Sequence, residues 1–143
     1  MIINCLLFSC RDAKLTYQNK EGYTPLHYAC HPRLNQVADR IIKKLRAADL
    51  MAVTSEGLTS LHLAAQSGNL HLVQKLVEKS QRKDGSCQLL ELKTQHDNTA
   101  LIYAMSNNHS KVASYLAKRQ TFDKFYGISI FTFFCQLFFS NFY

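Results

Sequence analysis

Apolar residues recur along the chain in one repeated arrangement, at positions offset by 0, 1, 4 and 5 residues. Three such stripes are Val37–Ile42, Leu72–Val77 and Val112–Ala117. A helix has about 3.6 residues per turn, so these offsets bring four apolar side chains onto one face. Each stripe therefore predicts an amphipathic helix with one buried side.

A second motif precedes each stripe at a fixed distance. Its three copies are EGYTPLHYAC (21–30), EGLTSLHLAA (56–65) and HDNTALIYAM (96–105). The threonines of these copies, Thr24, Thr59 and Thr99, lie 35 and 40 residues apart. A threonine hydroxyl can cap free backbone N–H groups, and Pro25 suits a first helical position, where its missing N–H costs nothing. The motif therefore predicts a short helix before each longer one.

The short helices have inward positions with small or aliphatic side chains. These are Leu26, Ala29 and Cys30 in the first copy and Leu61, Ala64 and Ala65 in the second. After the second short helix, Gly68 supplies a left-handed turn and Asn69 the next cap. Neither helix can bury its apolar face alone, so the units must stack on copies of themselves. The predicted fold is an all-α solenoid of stacked helix-turn-helix units with connecting fingers.

These motifs resemble the ankyrin repeat, whose pattern is G-x-T-P-L-H-x-A-A, a turn, and a second helix with V-V-x-x-L-L. The match is close at Gly22–Cys30 and Gly57–Ala65. It is weaker in the third copy, where Asp97, Ala100 and Ile102 replace Gly, Pro and His. Ankyrin repeats run about 33 residues, so the spacings imply about two extra residues in the first interval and about seven in the second.

The repeats and the extra length divide the chain into segments. The boundaries are 1–18 for a partial repeat, 19–53, 54–93 and 94–120 for three repeats, and 121–143 for a tail. The longer interval places its extra residues in the finger around 80–95. Two interpretations of this lengthened finger remain open: a neutral loop insertion, or a projection that contacts a partner.

The opening residues carry the same apolar stripe, at positions 2, 3, 6 and 7. Leu6 precedes Thr24 by 18 residues, as Ile41 precedes Thr59. The opening is thus interpreted as the second helix of an earlier repeat, and the chain as a fragment or short isoform of a longer array. A signal peptide is the alternative, but a positive start, a longer apolar core and a cleavage site are missing.

The tail changes composition abruptly. Residues 125–143 hold seven Phe and two Tyr and no charge, and Lys118, Arg119 and Lys124 precede them. As a helix these residues would be roughly 28 Å long, close to the thickness of a bilayer core. Three interpretations remain open: a membrane anchor, an extension that caps the last repeat, or a non-repeat end without selected function.

The charge balance limits the classes of partner that the chain is expected to bind. The 143 residues carry 17 Lys and Arg against 10 Asp and Glu, a net charge of +7, and 47% of them are hydrophobic, enough for one compact core. The basic residues form small scattered clusters rather than one run, a pattern typical of solvated helix faces. Nucleic-acid binding is therefore disfavoured.

Candidate chemical sites are few. The five cysteines form no CxxC pair, which favours reduced intracellular thiols. His27 and His31 flank Cys30 at helical spacing, but the resemblance implies that His27 and His62 are structural residues that bond neighbouring loops. The chain has no phosphate loop, GxSxG elbow or HExxH helix. We expect neither an enzyme nor a metal or cofactor.

The resemblance implies a cytoplasmic module that binds another protein through its fingertips and short helices, with a nuclear location as an alternative. The implied contact residues are Lys20, Glu21, Tyr23, His31, Pro32, Ser55, Glu56, Leu58, Gln66, Ser67, Gln95, His96, Asn98, Ser106 and Asn107. Tyr23 and Leu58 are the expected apolar anchors. The alternatives are an adaptor tethered to a membrane by residues 125–143, and a structural segment of a larger channel or cytoskeletal protein.

Overall fold

A computed structural model of the chain describes residues 15–81 and 87–123, the last three by their backbone alone. Helices and turns make up this described part, which contains no strand. The α-helices are α1 (Pro25–Tyr28), α2 (Asn35–Lys44), α3 (Ser60–Gln66), α4 (Leu70–Ser80), α5 (Ala100–Ser106) and α6 (Ser110–Asp123). Short 3₁₀ helices cover Pro32–Leu34, Ala47–Met51 and Gln88–Glu91. The predicted all-α architecture, with a short and a longer helix in each repeat, is confirmed.

The short helices begin where the threonines predict. The hydroxyls of Thr24 and Thr59 each accept a hydrogen bond from the backbone N–H three residues later. In these two repeats that residue is a histidine, His27 or His62. The histidine ring in turn accepts a bond from the threonine's own N–H, so two donors are satisfied reciprocally. Thr99 makes no side-chain cap bond at the start of α5, and Ile102, in the position of the histidine, has no ring nitrogen for the reciprocal bond.

The turn between the two helices of a repeat also follows the sequence. Gly68 adopts φ +70, and Asn69 then caps α4 by accepting a bond from the N–H of Leu72 at 3.2 Å. The amide group of Asn69 donates to the carbonyl oxygen of Cys30 at 3.1 Å, in the preceding repeat. One side chain therefore starts a helix and joins two repeats.

The core lies between two rows of helices. The short helices α1, α3 and α5 pack on their successors, as do the longer helices α2, α4 and α6. The side chains of the middle stripe, at positions 72, 73, 76 and 77, are at most 1% exposed. Val37 and Ala117, at the ends of the outer stripes, are only partly buried. The middle repeat is therefore covered on both sides, as the stacking argument predicts.

The connections after α2 and α4 each contain a 3₁₀ turn that contributes to the core. Leu50 and Leu90 stand four residues before Thr54 and Thr94 and are almost fully buried. In the longer connection Cys87 and Leu89 are buried as well. The last part of the lengthened connection around 80–95 therefore packs inward, while residues 82–86 lie outside the described part.

The two ends of the chain fall outside the described residues. Residues 1–14 of the predicted partial repeat 1–18 and the aromatic segment 125–143 are among them, so these two interpretations remain predictions. Within the described ranges, no helix combines the length and the apolar character that crossing a membrane requires.

The tip of each finger needs one residue with positive φ. Gly22 and Gly57 take this position at φ +83 and +79, and Asp97 takes it in the third repeat at φ +60. A side chain in the left-handed region is disfavoured, although Asp tolerates it better than most residues. The carboxylate of Asp97 also pairs with Lys93 at 2.9 Å on the exposed surface, where such pairs contribute little.

We therefore expect Asp97→Ala to unfold at lower urea concentration than Asp97→Gly, by roughly 1 kcal/mol of unfolding free energy. Both variants remove the same carboxylate, so the comparison isolates the cost of a β-carbon at positive φ. Equal stabilities would show that this backbone position carries no strain.

Candidate protein-binding face

Three loops, here called fingers 1, 2 and 3, cover residues 19–23, 54–58 and 94–98. Each finger is closed by a bond from the N–H of its first residue to the carbonyl oxygen of its last, at 2.9 to 3.0 Å. The first side chain reinforces the loop. Asn19 Oδ1 accepts from the N–H groups of Glu21 and Tyr23, and the hydroxyls of Thr54 and Thr94 accept similarly in fingers 2 and 3. The fingers are thus fixed by their own sequence.

Neighbouring fingers are joined through the backbone. The N–H of Ser55 donates to the carbonyl oxygen of Glu21 at 2.8 Å, and that of Gln95 donates to Glu56 at 3.1 Å. The amide side chain of Gln95 donates to the Ser55 carbonyl, and that of Gln18 to the Val53 carbonyl. Fingers 1, 2 and 3 therefore form one continuous row.

Two buried histidines tie each short helix to the next finger. The Nδ1 atom of His27 accepts from the N–H of Thr24 at 3.0 Å, so the ring proton resides on Nε2 and is donated to the Leu58 carbonyl at 3.2 Å. His62 repeats this arrangement between Thr59 and the Asn98 carbonyl. The role that the resemblance implied for these histidines, bonding neighbouring loops, is confirmed.

A pair of tyrosines stands at the end of finger 1 and the end of α1. The rings of Tyr23 and Tyr28 lie 5.4 Å apart, and the side-chain amide of Asn19 donates to the Tyr28 hydroxyl at 2.9 Å. Tyr28 is nonetheless 53% exposed. Because Asn19 also shapes finger 1, the loop and the ring are held by one residue. Such a fixed aromatic group loses little freedom when a partner covers it.

The outward positions of the short helices continue this surface and carry no charged side chain apart from histidine. Equivalent positions hold Tyr28, Leu63 and Tyr103, then His31, Gln66 and Ser106, then Pro32, Ser67 and Asn107. We call these nine residues and the accessible side chains of the three fingers the finger face. Its chemistry suits a partner that offers neutral polar and apolar groups.

The structure places most of the implied contact residues on the finger face. The exposed ones are Lys20, Glu21, His31, Pro32, Ser55, Glu56, Gln66, Gln95, His96, Ser106 and Asn107, and the partly buried ones are Tyr23, Ser67 and Asn98. Their use by a partner remains a prediction.

The expectation that Leu58 serves as an apolar anchor needs a correction. Its side chain is only 6% exposed, because it packs beneath finger 2 rather than above it. It is therefore unavailable as an apolar anchor, and its replacement would disturb packing.

Sequence reasoning missed Tyr28 and Tyr17, which are 53% and 71% exposed. The signal for Tyr28 was available, since it fills the variable position after the motif histidine, on the helix side opposite to Leu26. Leu63 and Tyr103 fill the same position in the other repeats. Three large side chains at one outward position indicate a contact surface more directly than the fingertips do.

The described cysteines are buried and inert. The thiol of Cys30 donates to the Leu26 carbonyl at 3.2 Å, and burial raises its pKa far above the usual range. Cys87 is also buried, with its Sγ 3.0 Å from the Ser80 hydroxyl. His31 caps the 3₁₀ turn Pro32–Leu34 through the N–H of Arg33, at 3.3 Å. Among residues 15–81 and 87–123, no three metal-ligating side chains come together.

Comparison with known families gives a match along most of the chain. A family model described as ankyrin repeats in three copies matches residues 2–87 and, overlapping them, 35–126. The matched ranges include the three described helix pairs and the row of fingers.

Two curated relatives share the matched region. The chain is 27% identical over 108 residues to the mouse (Mus musculus) protein named "Protein fem-1 homolog A-like", covering 76% of this chain and 15% of that protein. It is 34% identical over 101 residues to the bovine (Bos taurus) "SMC5-SMC6 complex localization factor protein 1", covering 68% of this chain and 9% of that protein. The chain therefore spans a small part of either relative.

The bridging histidines predict a loss of stability in mild acid. Burial lowers the pKa of His27 and His62 below 6.5, although their bonds to backbone carbonyls partly oppose this. As the pH falls, these histidines take up protons in the unfolded chain before they do so in the folded one. The stability that the neutral rings provide is therefore complete above pH 6.5 and is lost as the pH falls below it. Each histidine contributes at most about 1.4 kcal/mol of unfolding free energy per pH unit.

Urea unfolding between pH 7.5 and 5.5 measures this dependence. We expect His62→Gln to flatten it and His96→Gln, which removes an exposed fingertip histidine, to leave it unchanged. An equal slope in wild type and His62→Gln would contradict the assignment.

Proposed function

Because the chain belongs to the ankyrin-repeat family, we propose that it is a non-catalytic module that binds another protein along its finger face. The observation that most supports this proposal is the Tyr23–Tyr28 pair, in which Asn19 holds the Tyr28 hydroxyl. The pair lies at the start of a row of fingers that are hydrogen-bonded to one another. The row supplies a fixed scaffold, and the side chains above it select the partner.

The chemistry of the face indicates the kind of partner segment that fits. An exposed aromatic ring beside a partly buried one forms an apolar anchor. Glu21 and Glu56 stand exposed at equivalent positions of fingers 1 and 2, and Lys20 precedes Glu21. A segment with one apolar side chain for the tyrosine pair and polar or basic groups toward the fingertips would complement these residues.

The comparisons support an interaction role at the level of the family. The bovine relative's name describes a localisation factor for a protein complex, which fits a module of this kind. Both relatives hold the matched region within much longer chains, and we propose that these repeats likewise act as one segment of a larger binding protein. We place this interaction in the cytoplasm, a location supported by the buried thiol of Cys30, which forms no disulfide.

Affinity capture with the full chain tests the finger face. We expect Tyr28→Ala to weaken the binding of the captured partner at least tenfold, or about 1.4 kcal/mol, because the exposed ring is lost while the core is untouched. Binding of the purified partner by calorimetry gives the affinities.

Two matched variants control the experiment. Tyr28→Phe keeps the ring and loses only the bond from Asn19, so we expect a smaller effect. Gln36→Ala changes an exposed side chain on α2, away from the fingers, and should bind like wild type. A partner whose affinity is unchanged by Tyr28→Ala but reduced by Gln36→Ala would move the interface to the longer helices.

A further inference from the structure

The longer helices α2, α4 and α6 carry a second surface on their outward sides. Four equivalent positions recur on these helices, twelve in all. They hold Gln36, His71 and Lys111; Arg40, Lys75 and Tyr115; Lys43, Glu78 and Lys118; and Lys44, Lys79 and Arg119. Eight of the twelve are Lys or Arg and one is acidic. We call these twelve residues the basic helix face.

Basic residues that are scattered along the sequence lie together on one face of the folded chain. The described residues include twelve Lys and Arg, and eight of them lie on the basic helix face. The other four are Lys20, Arg33, Arg46 and Lys93. Basic residues separated by 35 or 40 residues in sequence, such as Lys44, Lys79 and Arg119, become neighbours because α2, α4 and α6 pack side by side. Helix axes about 8–10 Å apart put such side chains within one Debye length.

Most of the described acidic residues lie off this face. Asp39, beside it on α2, accepts from His71 at 3.0 Å, and Asp49 is bound by Arg46, which is not part of the face. Glu78 is the single acid among the twelve positions. The finger face, by contrast, carries Glu21, Glu56 and Asp97 at its tips. The molecule therefore has a strongly basic side and a nearly neutral one.

The side chains on the basic helix face favour a broad anionic surface over a nucleic-acid strand. Proteins bind single strands by stacking bases on exposed aromatic rings. Tyr115 is the one aromatic residue on the face, and it is partly buried with the Arg119 guanidinium 5.4 Å from its ring centre. The exposed Tyr28 belongs to the finger face, and Tyr17 is not on the three longer helices.

The sequence that follows α6 supports the same choice. Lys118 and Arg119 lie on the last turns of α6, and the uncharged residues 125–143, with seven Phe and two Tyr, come directly after that helix. Basic clusters bind anionic lipid headgroups, and aromatic residues prefer the interface between headgroups and acyl chains. Stable attachment to a membrane surface usually needs two such weak signals together.

We propose that the basic helix face docks on the anionic lipid surface of a membrane, with the finger face left open to a protein partner. The attraction is electrostatic and depends on the summed charge of α2, α4 and α6 rather than on any single contact. Its strength should therefore fall steeply with ionic strength.

Co-sedimentation of the full chain with lipid vesicles tests the proposal. The probes are vesicles of phosphatidylcholine alone and of phosphatidylcholine with about a third phosphatidylserine. We expect at least tenfold tighter binding to the anionic vesicles in 0.1 M NaCl, and loss of that preference in 0.5 M NaCl. Equal binding to the two kinds of vesicle would overturn the proposal.

A pair of charge-matched double variants locates the surface. Arg40→Glu with Lys75→Glu reverses two neighbouring charges of the basic helix face. Lys20→Glu with Lys93→Glu makes the same change in net charge away from that face, in finger 1 and directly before finger 3. Only the first variant should bind anionic vesicles at least tenfold more weakly, with circular dichroism confirming that both fold. Equal losses in the two would show that net charge alone, or the tail, drives binding.

Two further measurements separate this proposal from its rivals. Tyr28→Ala should bind vesicles like wild type, so a failure of the finger face as a protein site leaves this result intact. A short DNA duplex added as competitor should not release the chain from the vesicles at equal phosphate concentration. Release by the duplex would assign the basic helix face to nucleic acid instead.

Discussion

The bond from each bridging histidine to the next finger is the contact on which the rest of the structure depends. His27 and His62 complete the cap of their own short helix with Nδ1 and reach the following repeat with Nε2. One neutral ring therefore sets both where a helix begins and where the next finger lies. Unpaired polar groups at these buried positions would be costly, so the arrangement is strongly specified.

This constraint divides the molecule into two sides with different chemistry. Because the fingers are held in a row by backbone bonds, the side chains above them are free to vary without loss of the fold. The longer helices are fixed instead by their apolar stripes, which leaves their outward positions open to charge. A protein site and a lipid site can thus occupy one small chain, since each uses positions that the core does not.

Much of the fold follows from the sequence, for reasons that particular residues show. The stripe at positions 72, 73, 76 and 77 predicts α4 and its buried side, since period and burial are linked in a helix. Thr59 and Asn69 predict the starts of α3 and α4 by the local chemistry of capping. The burial of Leu58 and Leu89 cannot be predicted from the sequence, because each lies in a connection without a periodic apolar pattern.

The candidate site was less predictable than the fold. The sequence by itself determined the repeat length, the helix pairs, the caps and the residues of the fingers, all of which rest on contacts within a few positions. Only the tertiary structure decided that Leu58 turns inward, that Asn19 fixes Tyr28, and that eight basic residues share one face. Those outcomes depend on how successive repeats pack on one another, and packing brings together residues that local chemistry treats as unrelated.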